Sequence, residues 1–250
     1  MLFVVGLCQP ADIGWKFFRL IGFLVVAVTA GVAAWIIRLG APGSLVAVTG
    51  AVCICAAGLA QWAAGNKKNL TLFRAVTLFG GTLGLVAAIL WSHAQALAPQ
   101  FNEPFRFAAY ILGLTLGAWI MGTITVAWLL GHAYLTATKM TILPLQRLSR
   151  ILSAAVIART IFLITGLVAF WWTSRNAGTG IQPLMNESLI LSLRIATGIV
   201  GLGVFTYMVR DCVRLRSTQS ATGILYFASL FAYIGELSSH YLVKGLGWPV

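Results

Sequence analysis

RLIGFLVVAVTAGVAAWIIR, residues 19–38, decides how the rest of the chain is read: between its two arginines every side chain is apolar or small, over a length that crosses the hydrocarbon of a bilayer as one helix. Just before it, in ADIGWKFFRL, Lys16 and Arg19 can reach lipid headgroups while Trp15, Phe17 and Phe18 lie at the interface. Comparable apolar runs recur along the chain, separated by short polar breaks. They predict an all-α polytopic integral membrane protein, a single bundle of seven transmembrane helices over residues 1–250, with spans near 17–38, 43–65, 71–95, 107–133, 150–173, 187–210 and 220–243. The breaks end helices by their chemistry: APGS at 41–44, AGNKKN at 64–69, the stretch from Pro99 to Pro104, and NAGTGIQP at 176–183.

Composition agrees. Hydrophobic residues make up 60% of the 250 and charged residues only 9%, against roughly 25% charged in soluble domains. A net charge of +12 would suggest nucleic acid in a soluble protein, but here the basic residues sit in clusters between apolar runs, so the pattern is topological and no nucleic acid is expected. With the N-terminus inside, Lys16, Arg19, Lys67, Lys68, Arg74, Lys139, Arg147, Arg150, Arg210, Arg214 and Arg216 are cytoplasmic, against Arg38, Arg106, Arg175 and Lys244 outside. That asymmetry predicts N-in, C-out. Eight of the nine tryptophans fall near predicted span ends, leaving Trp119 mid-span, as an aromatic belt requires. The first residues lack the basic region of a signal peptide, and the expected location is a bacterial inner membrane. Cys8, Cys53, Cys55 and Cys212 follow no metal-ligand spacing and are read as packing residues.

In hydrocarbon, ionisable side chains need a partner or a function. Tyr226, Ser229, Tyr233, Glu236 and His240 recur at helical spacing on the last span, a stripe expected to face protein. At a rise of about 1.5 Å per residue, Glu236 lies about 24 Å and His240 about 30 Å from the inner end. Arg194, about 10 Å below the outer end of the preceding antiparallel span, comes to the height of Glu236, which predicts an Arg194–Glu236 ion pair. His93 lies about 31 Å up the third span, level with His240. Two imidazoles at one depth are the ligand set of a haem b, with Arg106, Arg175 or Arg194 for its propionates and Glu236 to orient an imidazole. The alternative is that they are ordinary interfacial histidines.

His132 stands apart at the inner end of the fourth span, where it can ligate a metal alone, donate to a quinone oxygen or cap a helix end, with Gln61 as a neighbour. Arg159, about 15 Å up the fifth span, is placed near mid-membrane with no acidic residue at its depth. Its expected partners are backbone carbonyls, hydroxyls such as Thr125 or Thr160, water or an anionic ligand. Gly80 with Gly84, Gly113 with Gly117, and Gly198 with Gly201 are read as close-packing positions.

Several classes are excluded. The last span has no central lysine for a retinal Schiff base, five acidic residues are too few for clustered-carboxylate metal chemistry, and HExxH is absent. GHAYL and IGELSSHYL are distinctive strings that point to no family. The loops are too short for a catalytic domain, so the chain reads as a non-catalytic membrane subunit that meets the lipid bilayer and other protein subunits. The leading expectation is a subunit of a respiratory-type electron-transfer complex binding haem b or a quinone near the outer face. The alternatives are a cofactor-free assembly subunit and a small proton-coupled anion transporter.

Overall fold

The computed structural model describes residues 4–5, 8, 13–39, 44–67, 70–92, 103–136, 140–178 and 180–249, and these contain helices and turns but no strand. The principal helices are α1 (Trp15–Leu39), α2 (Ser44–Lys67), α3 (Leu70–Ser92), α4 (Pro104–Thr136), α5 (Leu143–Asn176), the short α6 (Gln182–Asn186), α7 (Ser188–Arg214) and α8 (Thr218–Leu246). Helix is the expected form for such sequences, because a bilayer offers backbone N–H and C=O groups no partner outside the segment itself. Among the described residues, five helices are long and apolar enough to cross a membrane: Trp15–Arg38, Pro104–Leu135, Leu143–Asn176, Ser188–Arg214 and Thr218–Leu246. In α2 and α3 the described side chains cover the apolar stretches Val48–Ala63 and Ala75–Gly84.

Helix α5 begins well before the start that the sequence predicts for its span at residue 150. Residues 143–149 are helical, and Leu145, Leu148 and Leu152 form a buried face that continues without a break. Arg147 and Arg150, read from sequence as the end of a polar break, sit on the other side of this helix and are not buried. Pro144 is tolerated because the first helical turn has no N–H to lose.

Contacts divide the chain into two compact units, residues 1–100 with 139–144, and residues 101–138 with 145–250. In the first, α1 and α2 are antiparallel: the Gln61 side-chain N–H donates to the Phe18 carbonyl at 3.4 Å, and further along the pair the Cys55 thiol meets the Val26 carbonyl at 3.8 Å. Between these contacts the backbones touch. A Cβ on Gly22 would fall 2.8 Å from the Gly58 carbonyl oxygen.

The second unit is built round α8. Along α4 the pairings His132 with Tyr226, Thr125 with Tyr233, and Tyr110 with Val243 make α4 antiparallel to α8. Helix α7 is antiparallel to it as well, through Gly198 against Gly235 and Phe205 against Phe227 and Phe231. Helix α5 runs parallel to α8, from Arg159 beside Glu236 to Phe170 edge-on to Trp248 at 6.0 Å. Leu163, Phe170, Leu242 and Trp248 form the apolar core at that end. Gly247, in the left-handed conformation at φ 61°, closes α8 and donates its N–H to the Val243 carbonyl at 3.1 Å.

Candidate functional site

Three charged side chains from three helices meet at Glu236. Arg159 of α5 donates from Nε to Oε1 at 3.2 Å and from Nη2 to Oε2 at 3.0 Å, and Nη2 also reaches the Ser239 hydroxyl at 2.9 Å. Arg194 of α7 donates from Nη1 to Oε1 at 3.2 Å. The groups are deeply enclosed, with Arg159 3%, Arg194 1% and Glu236 6% exposed. Guanidinium groups stay protonated in proteins, so an ionised Glu236 leaves one net positive charge inside the unit.

Small residues make the space. A Cβ on Gly117 of α4 would run into the Glu236 carboxylate, and one on Gly235 would run into the Gly198 backbone. A Cβ on Gly198 would lie 2.6 Å from Arg194 Nη1. These glycines let α4 and α7 approach the carboxylate closely enough for the ion contacts to form.

Arg194 reaches the centre because α7 is not a regular helix. Residues Arg194–Gly201 form a π-helix, within which Arg194 and Gly198 are buried, followed by buried Leu202 and Thr206. Intervals of four on an ordinary α-helix drift by about 40° each, about 120° over three, which would carry Arg194 off the face that buries Thr206. The wider π turns absorb that drift and keep one face inward.

A small cleft adjoins the triad. It has room for about one water, a volume of ≈ 10 Å³, between Tyr110, Gly113 and Leu114 of α4, Arg159 and Phe162 of α5, Ser239, His240 and Val243 of α8, and Pro249 beyond its end. Arg159 Nη1 has no hydrogen-bond partner among the described residues, and a Cβ on Gly113 would lie 3.5 Å from it. Nε and Nη2 of Arg194 are also buried without a partner. The Arg159 guanidinium packs 5.3 Å from the Phe162 ring centre, which fixes its plane.

The predicted Arg194–Glu236 pair is present, but Arg159 is not the isolated charge that the sequence suggests. Its partner is the same glutamate. The expected hydroxyl partners are engaged elsewhere: Thr125 donates to Met121 and meets the Tyr233 hydroxyl, and Thr160 donates to Val156. Counting from Leu143 puts Arg159 about 24 Å along α5, and counting from Thr218 puts Glu236 about 27 Å along α8, so the early start of α5 removes the mismatch.

The polar stripe of α8 also divides. Ser229 and Glu236 are buried, whereas Tyr226, Tyr233 and His240 are exposed along the edge of that face. His240 lines the cleft near the triad. His132 is exposed, and its Nδ1 lies 3.2 Å from the Tyr226 hydroxyl, with the Trp128 ring 5.4 Å from that of Tyr226. Gln61, expected beside His132, donates to Phe18. His93 lies outside the described residues, so the His93–His240 pairing does too. Among the described residues no group of three or more His, Cys, Asp or Glu side chains gathers to hold a metal ion. Arg106 packs over the Trp248 ring at 4.7 Å and pairs with Glu103 at 3.2 Å, and Arg175 lies over Trp171 at 5.5 Å. Sequence reasoning missed Ser239, Tyr110 and Phe162; Ser239, three residues after Glu236 in GELSSH, was legible as a neighbour on its face.

Fold and site together define an all-helical protein with apolar helices of membrane-spanning length and a buried arginine–glutamate–arginine centre. Comparison with protein-family models, with curated proteins and with solved structures finds no match.

Proposed function

We propose that this chain is an integral membrane subunit of an electron-transfer complex, crossing a bacterial plasma membrane seven times with its N-terminus in the cytoplasm, and that it offers a quinone site near the outer face. The supporting observation is Arg159 Nη1, an enclosed donor without a partner at a cleft that Tyr110, Ser239 and His240 also line. A quinone carbonyl accepts from such a donor, and an imidazole or phenol nearby can exchange the protons of reduction. The isoprenoid tail lies outside the cleft, along apolar side chains such as Leu237 and Tyr241 on the exposed side of α8. The short loops leave catalysis to other subunits. A haem b held by His240 and His93 is the second form of this reading, motivated by their common depth in the sequence.

Two measurements on the purified protein test it. Quinone is extracted and quantified against protein for the wild type and Arg159→Gln, and a reduced-minus-oxidised visible spectrum is taken after expression in a haem-replete host. Bound quinone that falls in the variant supports the site, and a b-type band lost in His240→Ala supports the haem form. Neither quinone nor a haem band leaves a subunit whose polar centre serves packing alone, and the proposal fails.

A further inference from the structure

Glu236 neutralises one of its two arginines, and among the described residues no second anion meets the charge of the other. The other acidic side chains among the described residues lie elsewhere: Glu103 pairs with Arg106, Asp211 pairs with Arg214 at 3.1 Å, and the Glu187 carboxylate lies beside Gly245; Asp12 falls outside the described residues. A net charge so enclosed at membrane depth is destabilising unless something offsets it. The unpartnered donors show where the offset can bind. Arg194 Nε and Nη2 are buried away from the lining of this cleft, whereas Arg159 lines it and has Nη1 free near the bare backbone of Gly113.

We propose that this cleft binds an anionic oxygen, that of a phosphate or carboxylate group, on Arg159 Nη1, and that the anion brings the arginine–glutamate–arginine centre to neutrality. Charge-assisted bonds from guanidinium to such oxygens are the strong ones, and planar guanidinium geometry suits them. A cleft of ≈ 10 Å³ admits one oxygen atom and not a whole head group, so the rest of the ligand projects outward past exposed His240. The inference goes beyond the quinone reading, because a neutral quinone carbonyl can accept from Nη1 yet leaves the charge in place. The two ligands share one N–H and therefore compete. The phosphate of an acidic phospholipid entering from the side and a soluble anion present the same oxygen.

The test uses the full chain in neutral detergent micelles. Lipid binding is followed by native mass spectrometry and by the shift in unfolding temperature, with phosphatidylglycerol, phosphatidylcholine and inorganic phosphate as separate probes. Phosphatidylglycerol is expected to bind at least about tenfold more tightly than phosphatidylcholine, as for a charge-assisted contact. Arg159→Gln removes that preference, and Arg175→Gln, an exposed arginine away from the triad, retains it. Gly113→Ala keeps the triad and puts a methyl 3.5 Å from Nη1 and 3.2 Å from the Phe162 ring, so it weakens binding even if Arg159→Gln fails to fold. Stabilisation by inorganic phosphate identifies the oxygen group itself as sufficient; an effect of phosphatidylglycerol alone identifies the lipid. A wild type that discriminates neither phosphatidylglycerol from phosphatidylcholine nor phosphate from buffer overturns the inference, as does Gly113→Ala with unchanged binding. Added quinone separates the two readings: quinone that displaces the anion supports both, and quinone that never binds removes the quinone site while the anion site stands.

Discussion

Removing the shared carboxylate should cost more than removing the carboxylate and one arginine together. In Glu236→Gln, Arg159 and Arg194 lose the negative charge and one of the two oxygens they meet at 3.0–3.2 Å, and are left as two guanidinium groups in an enclosed site with no anion between them. Breaking one buried ion pair by deleting a partner costs roughly 3–5 kcal/mol, and here one deletion breaks two pairs, so about 5 kcal/mol is the lower expectation. For a chain of this size a loss of 1 kcal/mol lowers the unfolding temperature by about 2–4 °C, which gives a fall of about 10–20 °C. The double variant Glu236→Gln with Arg194→Gln leaves a single guanidinium and removes the repulsion between two. It should recover at least about 1–2 kcal/mol relative to Glu236→Gln alone, a strongly non-additive cycle. Tryptophan fluorescence during thermal unfolding in detergent, run on the wild type, both single variants and the double, measures it. Additive losses, with the double variant the least stable of the four, would refute the idea that the two arginines are coupled through one carboxylate.

Further outcomes follow from the same geometry. Gly117→Ala drives a methyl into the Glu236 carboxylate and should cost about 1–3 kcal/mol, whereas Gly203→Ala, with open space round its new Cβ, should gain about 0.5–1 kcal/mol in the same unfolding assay. Tyr226→Phe removes only the exposed contact to His132 Nδ1, so it should cost less than about 1 kcal/mol and leave anion and quinone binding unchanged. Deleting Val200, an exposed residue of the π-helix, shortens the interval from Arg194 to Thr206 to eleven positions, which realigns them within about 20° on a regular α-helix, and folded protein should still be obtained. Deleting Ile157 from regular α5 instead turns the face of Leu145, Leu148 and Leu152 away from that of Leu163 by about 100° and should abolish it. Single cysteines at Gly178 and Ser217 should label from opposite sides of the membrane, Gly178 from outside; the reverse pattern would overturn the N-in orientation.

Helix class was legible because lipid imposes one rule on every span, and the run between Arg19 and Arg38 carries that rule without ambiguity. Depth was legible only where a helix end was read correctly. Arg194 and Glu236 met as expected because the α7 and α8 limits shifted little, whereas Arg159 was placed too low because Arg147 and Arg150 resemble a loop when counted as charges. They are long side chains whose heads reach water from a helix that continues beneath them. Facing was harder to read than depth. Tyr226, Ser229, Tyr233, Glu236 and His240 share a broad arc, but only its centre is buried, and an α-helical wheel cannot show that Arg194 shares a face with Thr206 across a π segment. The small side chains beside the charges were visible as packing positions. What they make room for depends on which helices meet, and periodicity within one helix does not contain that information.

A buried ion centre is seldom the most stable way to fill a core, since apolar side chains of similar volume do as well or better once desolvation is counted. Register is the usual reason to keep one, and a neutral Arg159–Glu236 pair, with two bonds and a third to Ser239, already fixes α5 against α8. Arg194 adds to this lock on α7, yet α7 is also fixed against α8 by the backbone contact of Gly198 with Gly235 and by Phe205 against Phe227 and Phe231. Its one described bond to the glutamate leaves two nitrogens enclosed without partners, a poor exchange if holding the helix were its whole purpose. What Arg194 supplies that packing does not is charge. By drawing on the same carboxylate it reduces the hold of Glu236 on Arg159, and it leaves Arg159 able to offer a full positive charge, through Nη1, to whatever enters the cleft. The second arginine is thus better explained by a ligand that is negative than by the fold it helps to hold.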